Sequence, residues 1–333
     1  MSERYSRQIL FKNIGAEGQQ KITQKHVLII GMGALGTHIA DGLVRAGIRQ
    51  LTIVDRDYIE FSNLQRQMLY TEKDAIDAMP KVIAAKEKLQ AIRSDVVIDA
   101  HIAQVNPQFL EDYGQSADLI LDATDNFDTR LLVNDFAYKY EIPWIYGGVV
   151  QSTYIEAAFI PGQTPCFNCL MPQLPVINMT CDTVGVIQPA VTMTTSLQIR
   201  DALKILTETP FTPKLTYGDI WEGTHYTFGF SRMFNPECHT CGKAPTYPHL
   251  NHTDLQFATL CGRDTVQYNN EDITQEMLRA YLDTHHIQYH ANPYMIRFEF
   301  NNHRIVSFSG GRMLIHGMTR PEEAIKLMNQ LLG

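Results

Sequence analysis

The chain has 333 residues, 44% of them hydrophobic, which is enough for one large domain or two ordinary ones with a full core. Its formal charge of -8 and pI near 5.8 argue against a nucleic-acid surface, which carries a basic excess. No run of about 18 apolar residues offers a membrane span, and the start MSERYSRQIL lacks the basic and apolar regions of a signal peptide, so a cytoplasmic location is expected.

KHVLIIG (25–31) reads as a buried parallel strand entering glycines. THIADGLVRAG (37–47) has helical spacing and ends on a glycine C-cap. LTIVD (51–55) is the next strand, and KVIAAKEKLQAI (81–92) is a helix starting just after Pro80. DVVIDAHIA (95–103) and ADLILDAT (117–124) are strands, TRLLVNDFAYKY (129–140) a helix, and IPWIYGGVV (142–150) and YIEAAFI (154–160) strands. This alternation predicts an α/β fold, a Rossmann-like, mostly parallel sheet with helices on both faces and ligands beyond the strands' carboxyl ends. Residues 161–192 read as a long loop, 191–206 as a helix, 215–230 as strands and 245–252 as a linker. The tail shows strand signals in YMIRFEF, HRIVSFSG and RMLIHG and helices around ITQEMLRAYLD and PEEAIKLMNQLL. The expected division is residues 1–248, carrying the chemistry, and 249–333, a small C-terminal α+β module without a chemical motif.

Four features carry chemistry. Gly31, Gly33 and Gly36 in GMGALG allow a tight strand-to-helix turn and close approach of backbone to phosphate. Asp55, about twenty residues on, is placed to accept from ribose hydroxyls. The turn and this acid alone do not separate NAD, FAD and ATP. In FSNLQRQMLY, Asn63, Gln65 and Arg66 follow the acid closely, and Lys81 opens a helix. Two cations and a helix N-terminus suit a triphosphate, although Arg66 taken alone reads as part of a solvated loop. Asp125 and Asn126 end a strand, where a carboxylate can hold Mg2+ or the pair can cap the following helix.

Of the six cysteines, thiols or metal ligands in a reducing compartment, Cys166 and Cys169 form one CxxC, and Cys238 and Cys241 another. Two such pairs can supply a closed, structural zinc site of four thiolates; a single redox CxxC is the alternative. Cys181 and Cys261 stand alone, and a lone cysteine is by default a packed core residue. Arg7 reads locally as a surface charge.

RYSRQI, GMGALG, IVDRDYIEFSNLQRQ, MPK, DATDNFDTR, CFNC, TCDTVGVIQP and CHTC stand in the order found in the MoeB/ThiF/HesA adenylyltransferases, relatives of ubiquitin-activating enzymes, which residues 1–250 resemble closely. The resemblance implies that the C-terminal Gly-Gly of a small ubiquitin-like sulfur carrier protein is adenylylated with Mg·ATP, releasing pyrophosphate. It implies that Asp55 binds ribose, that Asn63, Arg66 and Lys81 contact phosphates with Ser62 nearby, that Asp125 binds magnesium with Asn126 beside the nucleotide, and that the four paired cysteines bind Zn2+. Arg7 matches an arginine that reaches a partner subunit's ATP, implying a homodimer, and Cys181 matches a cysteine that forms a covalent sulfur link in some members. Ala34 departs from the family's third glycine, a small change. Between the molybdopterin and thiazole pathways the expectation leans to the molybdopterin carrier. Two competing readings are a NAD-dependent oxidoreductase, which leaves the Asn-Gln-Arg cluster, Lys81 and Asp125 without a task, and a non-catalytic, zinc-stapled binding module.

Overall fold

A computed structural model describes residues 3–173, 184–251, 257–259, 264–270 and 272–332. The chain divides into two compact units, Met1–His252 and Thr253–Gly333. Among the described residues no helix is long and apolar enough to cross a membrane.

The larger unit is built on an eight-stranded sheet, ordered β3-β2-β1-β4-β5-β6-β7-β8. Its strands are β1 (His26–Ile30), β2 (Gln50–Val54), β3 (Val97–His101), β4 (Leu119–Asp122), β5 (Trp144–Val150), β6 (Thr153–Phe159), β7 (Leu215–Asp219) and β8 (Thr224–Phe228). β1 to β5 run parallel, and β6 to β8 join antiparallel. The central strands are apolar on both faces, so the sheet divides two cores. Val27, Ile29, Leu119 and Leu121 face the side covered by α3 (Ala34–Ala46), α5 (Lys81–Ile92) and the long α9 (Gln188–Leu206). Leu28, Ile30 and Ile120 face α6 (Pro107–Tyr113), α7 (Phe127–Lys139) and the short α8 (Phe167–Leu170). Three further helices, α1 (Ser6–Ile9), α2 (Gly15–Ile22) and α4 (Glu72–Ile76), complete this unit.

The helices end where local chemistry says they should. Gly47 closes α3 with φ 104°, a left-handed cap that glycine takes without strain. Asn106 and Asn126 cap α6 and α7 by accepting the backbone N–H groups of Phe109 and Thr129.

Two segments depart from expectation. Residues 161–192 are not one loop: α8 begins inside the first CxxC, a 3-10 turn at Met171–Gln173 follows it, and α9 begins at Gln188, ahead of Pro189 in its first turn. Residues 245–252 are not a free linker either, because Pro248–Asn251 form a 3-10 turn and the His249 N–H donates to Asp135.

The smaller unit is a six-stranded antiparallel sheet, ordered β11-β12-β13-β14-β10-β9. Its strands are β9 (Phe257–Thr259), β10 (Thr265–Asn269), β11 (Tyr289–Ala291), β12 (Met295–Phe300), β13 (His303–Phe308) and β14 (Arg312–His316). One core joins Ile296, Phe298, Ile305, Met313 and Ile315 of the sheet to Leu278 and Leu282 of α10 (Gln275–Thr284) and to Leu327 and Met328 of α11 (Pro321–Leu332).

Candidate active site

Three strand ends define the site. β1 runs into the glycine turn, and Gly31 takes φ +96°, with the position of a side-chain carbon only 2.6 Å from the Ala123 carbonyl oxygen. At Gly36 that carbon would lie 1.9 Å from the Gly31 carbonyl oxygen, so no other residue fits there. The turn is thereby pressed onto the end of β4, and Ala34 opens α3 immediately behind it.

Asp55, just past β2, accepts the backbone N–H of Met32 at 2.7 Å and that of Asp57 at 2.7 Å, one on each carboxylate oxygen. Each oxygen keeps acceptor capacity for a ligand hydroxyl. Tyr70 binds the same turn from the far side: its hydroxyl lies 2.6 Å from the Met32 carbonyl and 3.2 Å from that of Lys81. Burial pushes the Tyr70 phenol well above its ordinary value, so it remains a neutral donor.

Lys81 is 3% exposed, and its Nζ lies 3.4 Å from Asp57 Oδ2. Gln67 is equally buried; its Oε1 has no partner among the described residues, and its Nε2 lies 3.7 Å from where a Gly33 side chain would begin. Asn63 is buried and accepts the Glu60 N–H at 3.0 Å. Ser62 and Gln65 are exposed, while Arg66 is half-buried and donates to the Ser62 carbonyl at 2.9 Å. The 61–70 loop therefore presents Gln67 to the glycine turn, with Gln65 on the outside.

At the end of β4 the two readings of Asp125 and Asn126 separate. Asn126 is the helix cap, accepting the Thr129 N–H at 2.9 Å, whereas Asp125 is exposed. The loop carrying Asp125 is tied down by Arg130, whose Nε donates to Asp122 at 2.9 Å and whose Nη2 donates to the Thr124 carbonyl at 2.6 Å and the Gly147 carbonyl at 3.2 Å. Its guanidinium also sits 4.9 Å from the Tyr146 ring centre. Burial raises the Asp122 carboxyl above its ordinary value, and the Arg130 charge opposes that rise.

Sequence reasoning singled out none of Asp57, Gln67, Tyr70, Asp122 and Arg130. For the last pair a signal existed: an aspartate ending an apolar strand is buried, and a buried carboxylate needs a cation close by.

The four paired cysteines lie elsewhere in the same unit. Cys166 and Cys238 have sulfurs 3.5 Å apart, as do Cys169 and Cys241, and Cys166 and Cys169 are 4.0 Å apart. A zinc tetrahedron with arms of ~2.3 Å has edges of about 3.8 Å, so the cluster fits a closed site. Arg7 is exposed on α1. Cys181 and Cys261 lie outside the described residues.

Residues 5–240 match the ThiF family. The chain is 40% identical, over the full length of both proteins, to the sulfur carrier protein ThiS adenylyltransferase of Bacillus subtilis. It is 32% identical to the sulfur carrier protein adenylyltransferase of Thermus thermophilus, over 78% of this chain and 96% of that one. Its fold resembles the crystal structure of Escherichia coli MccB with ATP, with TM-score 0.63 and 23% identity over 73% of this chain and 75% of that one. The chain belongs to the ThiF family.

Proposed function

We propose that this adenylyltransferase of the ThiF family uses ATP to activate the C-terminal glycine of a small ubiquitin-like sulfur carrier protein. The observation that carries the reading is the convergence at one sheet edge of the glycine turn, Asp55, Gln67, the buried Lys81 and the exposed Asp125. The names of the relatives, sulfur carrier adenylyltransferases in Bacillus subtilis and Thermus thermophilus, support it.

The nucleophile, a glycine carboxylate, is ionised at neutral pH and needs no strong base. It attacks the α-phosphorus in line, and pyrophosphate leaves as the acyl adenylate forms. The work left to the protein is positioning and charge neutralisation. Asp55 would take the ribose, the glycine turn and the start of α3 the phosphates, and Lys81 and Arg66 the negative charge that grows on the pyrophosphate. Asn63, which accepts the Glu60 N–H, would act by holding that loop. Asp125 is the carboxylate proposed to hold Mg2+, whose charge would draw the phosphates together. Asn126, committed to its helix cap, would act by fixing Asp125.

The carrier is proposed to be ThiS-like, supported by the name of the Bacillus subtilis relative that matches along the whole chain; the molybdopterin carrier is the second reading. The four-cysteine cluster is proposed to hold a structural Zn2+, which stays out of the reaction because four thiolates close its coordination shell. Cys181 is kept as the candidate for a covalent sulfur link, tested by mass spectrometry of a carrier adduct that Cys181→Ser abolishes.

ATP–pyrophosphate exchange with each purified carrier tests the main reading. Exchange is expected with the ThiS-like carrier, and Arg66→Ala or Asp125→Ala should lower it about a hundredfold. Near-normal exchange in either folded variant removes that residue from the mechanism. Absence of exchange with both carriers, or oxidation of NADH, would refute the activity.

A further inference from the structure

The two CxxC turns are held by one helix, α7, and by groups that take no part in the reaction. Asn134, fully buried, accepts the backbone N–H of Phe167, inside the first CxxC, at 2.9 Å. Asp135, also fully buried, accepts the hydroxyl of Thr240, inside the second CxxC. The other Asp135 oxygen accepts the His249 N–H at 2.9 Å. Asn168, in the first turn, donates to the same Thr240 hydroxyl oxygen at 2.8 Å, so Thr240 joins both cysteine turns to Asp135. Thr240 also points its backbone N–H at the Cys238 sulfur, 3.4 Å away. The Tyr138 hydroxyl fixes the approach to Cys166 through the Pro165 carbonyl, at 2.9 Å.

We propose that Asp135 is a positioning residue for the metal: through Thr240 and Asn168 it holds the two CxxC turns in ligating register. The proposal rests on reading the cluster as a zinc site. Its physical basis is the cost of bringing together two short turns separated by some seventy residues of chain, an entropy that a pre-set scaffold removes from metal binding. A buried carboxylate fits the task. It accepts two hydrogen bonds strongly, and being committed to Thr240 and His249 it stays out of the coordination shell. The same helix begins at the Asn126 cap and sends Arg130 into the loop that carries Asp125. The scaffold of the cysteine cluster and that of the Asp125 loop are thus one rigid element, so the state of the cluster is felt at residues 124–130.

The test uses the full chain as purified. Zinc content is measured first, then the rate at which the chromogenic chelator 4-(2-pyridylazo)resorcinol withdraws zinc. Asp135→Asn and Thr240→Val should speed withdrawal by roughly ten- to a hundredfold, while Thr240→Ser, which keeps the hydroxyl, should stay near the wild-type rate. Asn168→Ala, at a half-buried position, removes only the bridge between the two turns and should speed withdrawal several-fold. That variant decides the matter if Asp135→Asn does not fold. Hydrogen exchange of amides 124–130 should quicken when the wild-type chain is stripped of metal. Zinc withdrawal within about twofold of wild type in the folded variants, or unchanged exchange at 124–130, overturns the inference while leaving the zinc reading intact. A wild-type chain with no bound zinc overturns both.

Discussion

Replacing Arg130 with methionine removes the guanidinium that Asp122 faces at the end of β4 and leaves a carboxyl that is 1% exposed. Breaking a buried pair by deleting one partner costs about 3–5 kcal/mol, because the surviving charge has neither water nor counter-ion. The Thr124 and Gly147 carbonyls lose a donor as well, so the upper half of that range is expected. The penalty carries a pH signature. Burial already raises Asp122 above its ordinary value in the wild type, with Arg130 opposing, so removing Arg130 raises it further. A carboxyl raised in the folded state has its contribution fully present below the unfolded value and loses it as pH rises through the folded value. The variant's deficit must therefore grow with pH from the wild-type folded value of Asp122 upward, where the wild-type carboxyl has ionised and the variant's has not, at no more than ~1.4 kcal/mol per pH unit. Urea unfolding of both proteins at pH 5 and pH 7.5 measures it. Both tryptophans, Trp144 and Trp221, belong to the larger unit, so their fluorescence follows that unit alone. A gap that narrows by about 1 kcal/mol or more at pH 5 is expected. An equal gap at both pH values, or one below ~1 kcal/mol at pH 7.5, would show that Asp122 and Arg130 are not the buried pair described.

Three other perturbations bear on different parts of the molecule. If Arg7 serves a partner's site, an equimolar mixture of Arg7→Ala and Asp125→Ala chains, each nearly inactive alone, should recover roughly a quarter of wild-type exchange, since half the dimers are mixed and each mixed dimer holds one complete site; no recovery rules out sharing of the site between chains. Glu156 is fully buried on β6, 3.1 Å from Arg200, and is raised well above the usual carboxylate range by burial and then by Asp201. Burial favours its neutral form, so the melting temperature should fall as pH rises above the ordinary carboxylate range, and Glu156→Gln should flatten that fall; parallel curves would refute it. Gly36→Ala places a methyl group 1.9 Å from the Gly31 carbonyl oxygen, a clash with backbone, and should abolish nucleotide-dependent thermal stabilisation; retained stabilisation by ATP would place the nucleotide away from this turn.

Regular periodicity made most of the larger unit legible. The helix expected at 81–92 is Lys81–Ile92, and the strand expected at 142–150 is Trp144–Val150 within its fraying ends. Short elements were harder to read: α6 has 7 residues and is recognisable only by its Asn106-Pro107 start. The α8 turn hides among prolines and cysteines because α7 and the second CxxC hold it, and its own sequence offers no helical stripe. The site split in a similar way. Residues proposed to meet a ligand, such as Asp55 and Lys81, stand at strand and helix ends where pattern reading finds them. Asp57 and Tyr70 are tied to other parts of the site, and such links depend on which loops the fold brings together, which no local window contains.

The contrast between Lys81 and Arg66 bears on how the proposed site would meet ATP. Lys81 is stripped of water before any nucleotide arrives, and its contact with Asp57 at 3.4 Å is too long to recover the full cost of that burial. If Lys81 takes a phosphate as proposed, that phosphate would meet a cation already dehydrated, so desolvation of the lysine would not oppose binding. Asp55, locked by two backbone N–H groups, is preset in the same sense. Arg66 and Asp125 differ: one is half-buried with its guanidinium on the Ser62 carbonyl, the other is exposed. To serve the proposed reaction, Arg66 has to exchange that carbonyl for the substrate, and Asp125 has to give up solvent. The inner groups would then supply affinity that is the same in ground and transition states, whereas contacts made late, by Arg66 and Asp125, are the ones able to favour the transition state over bound ATP.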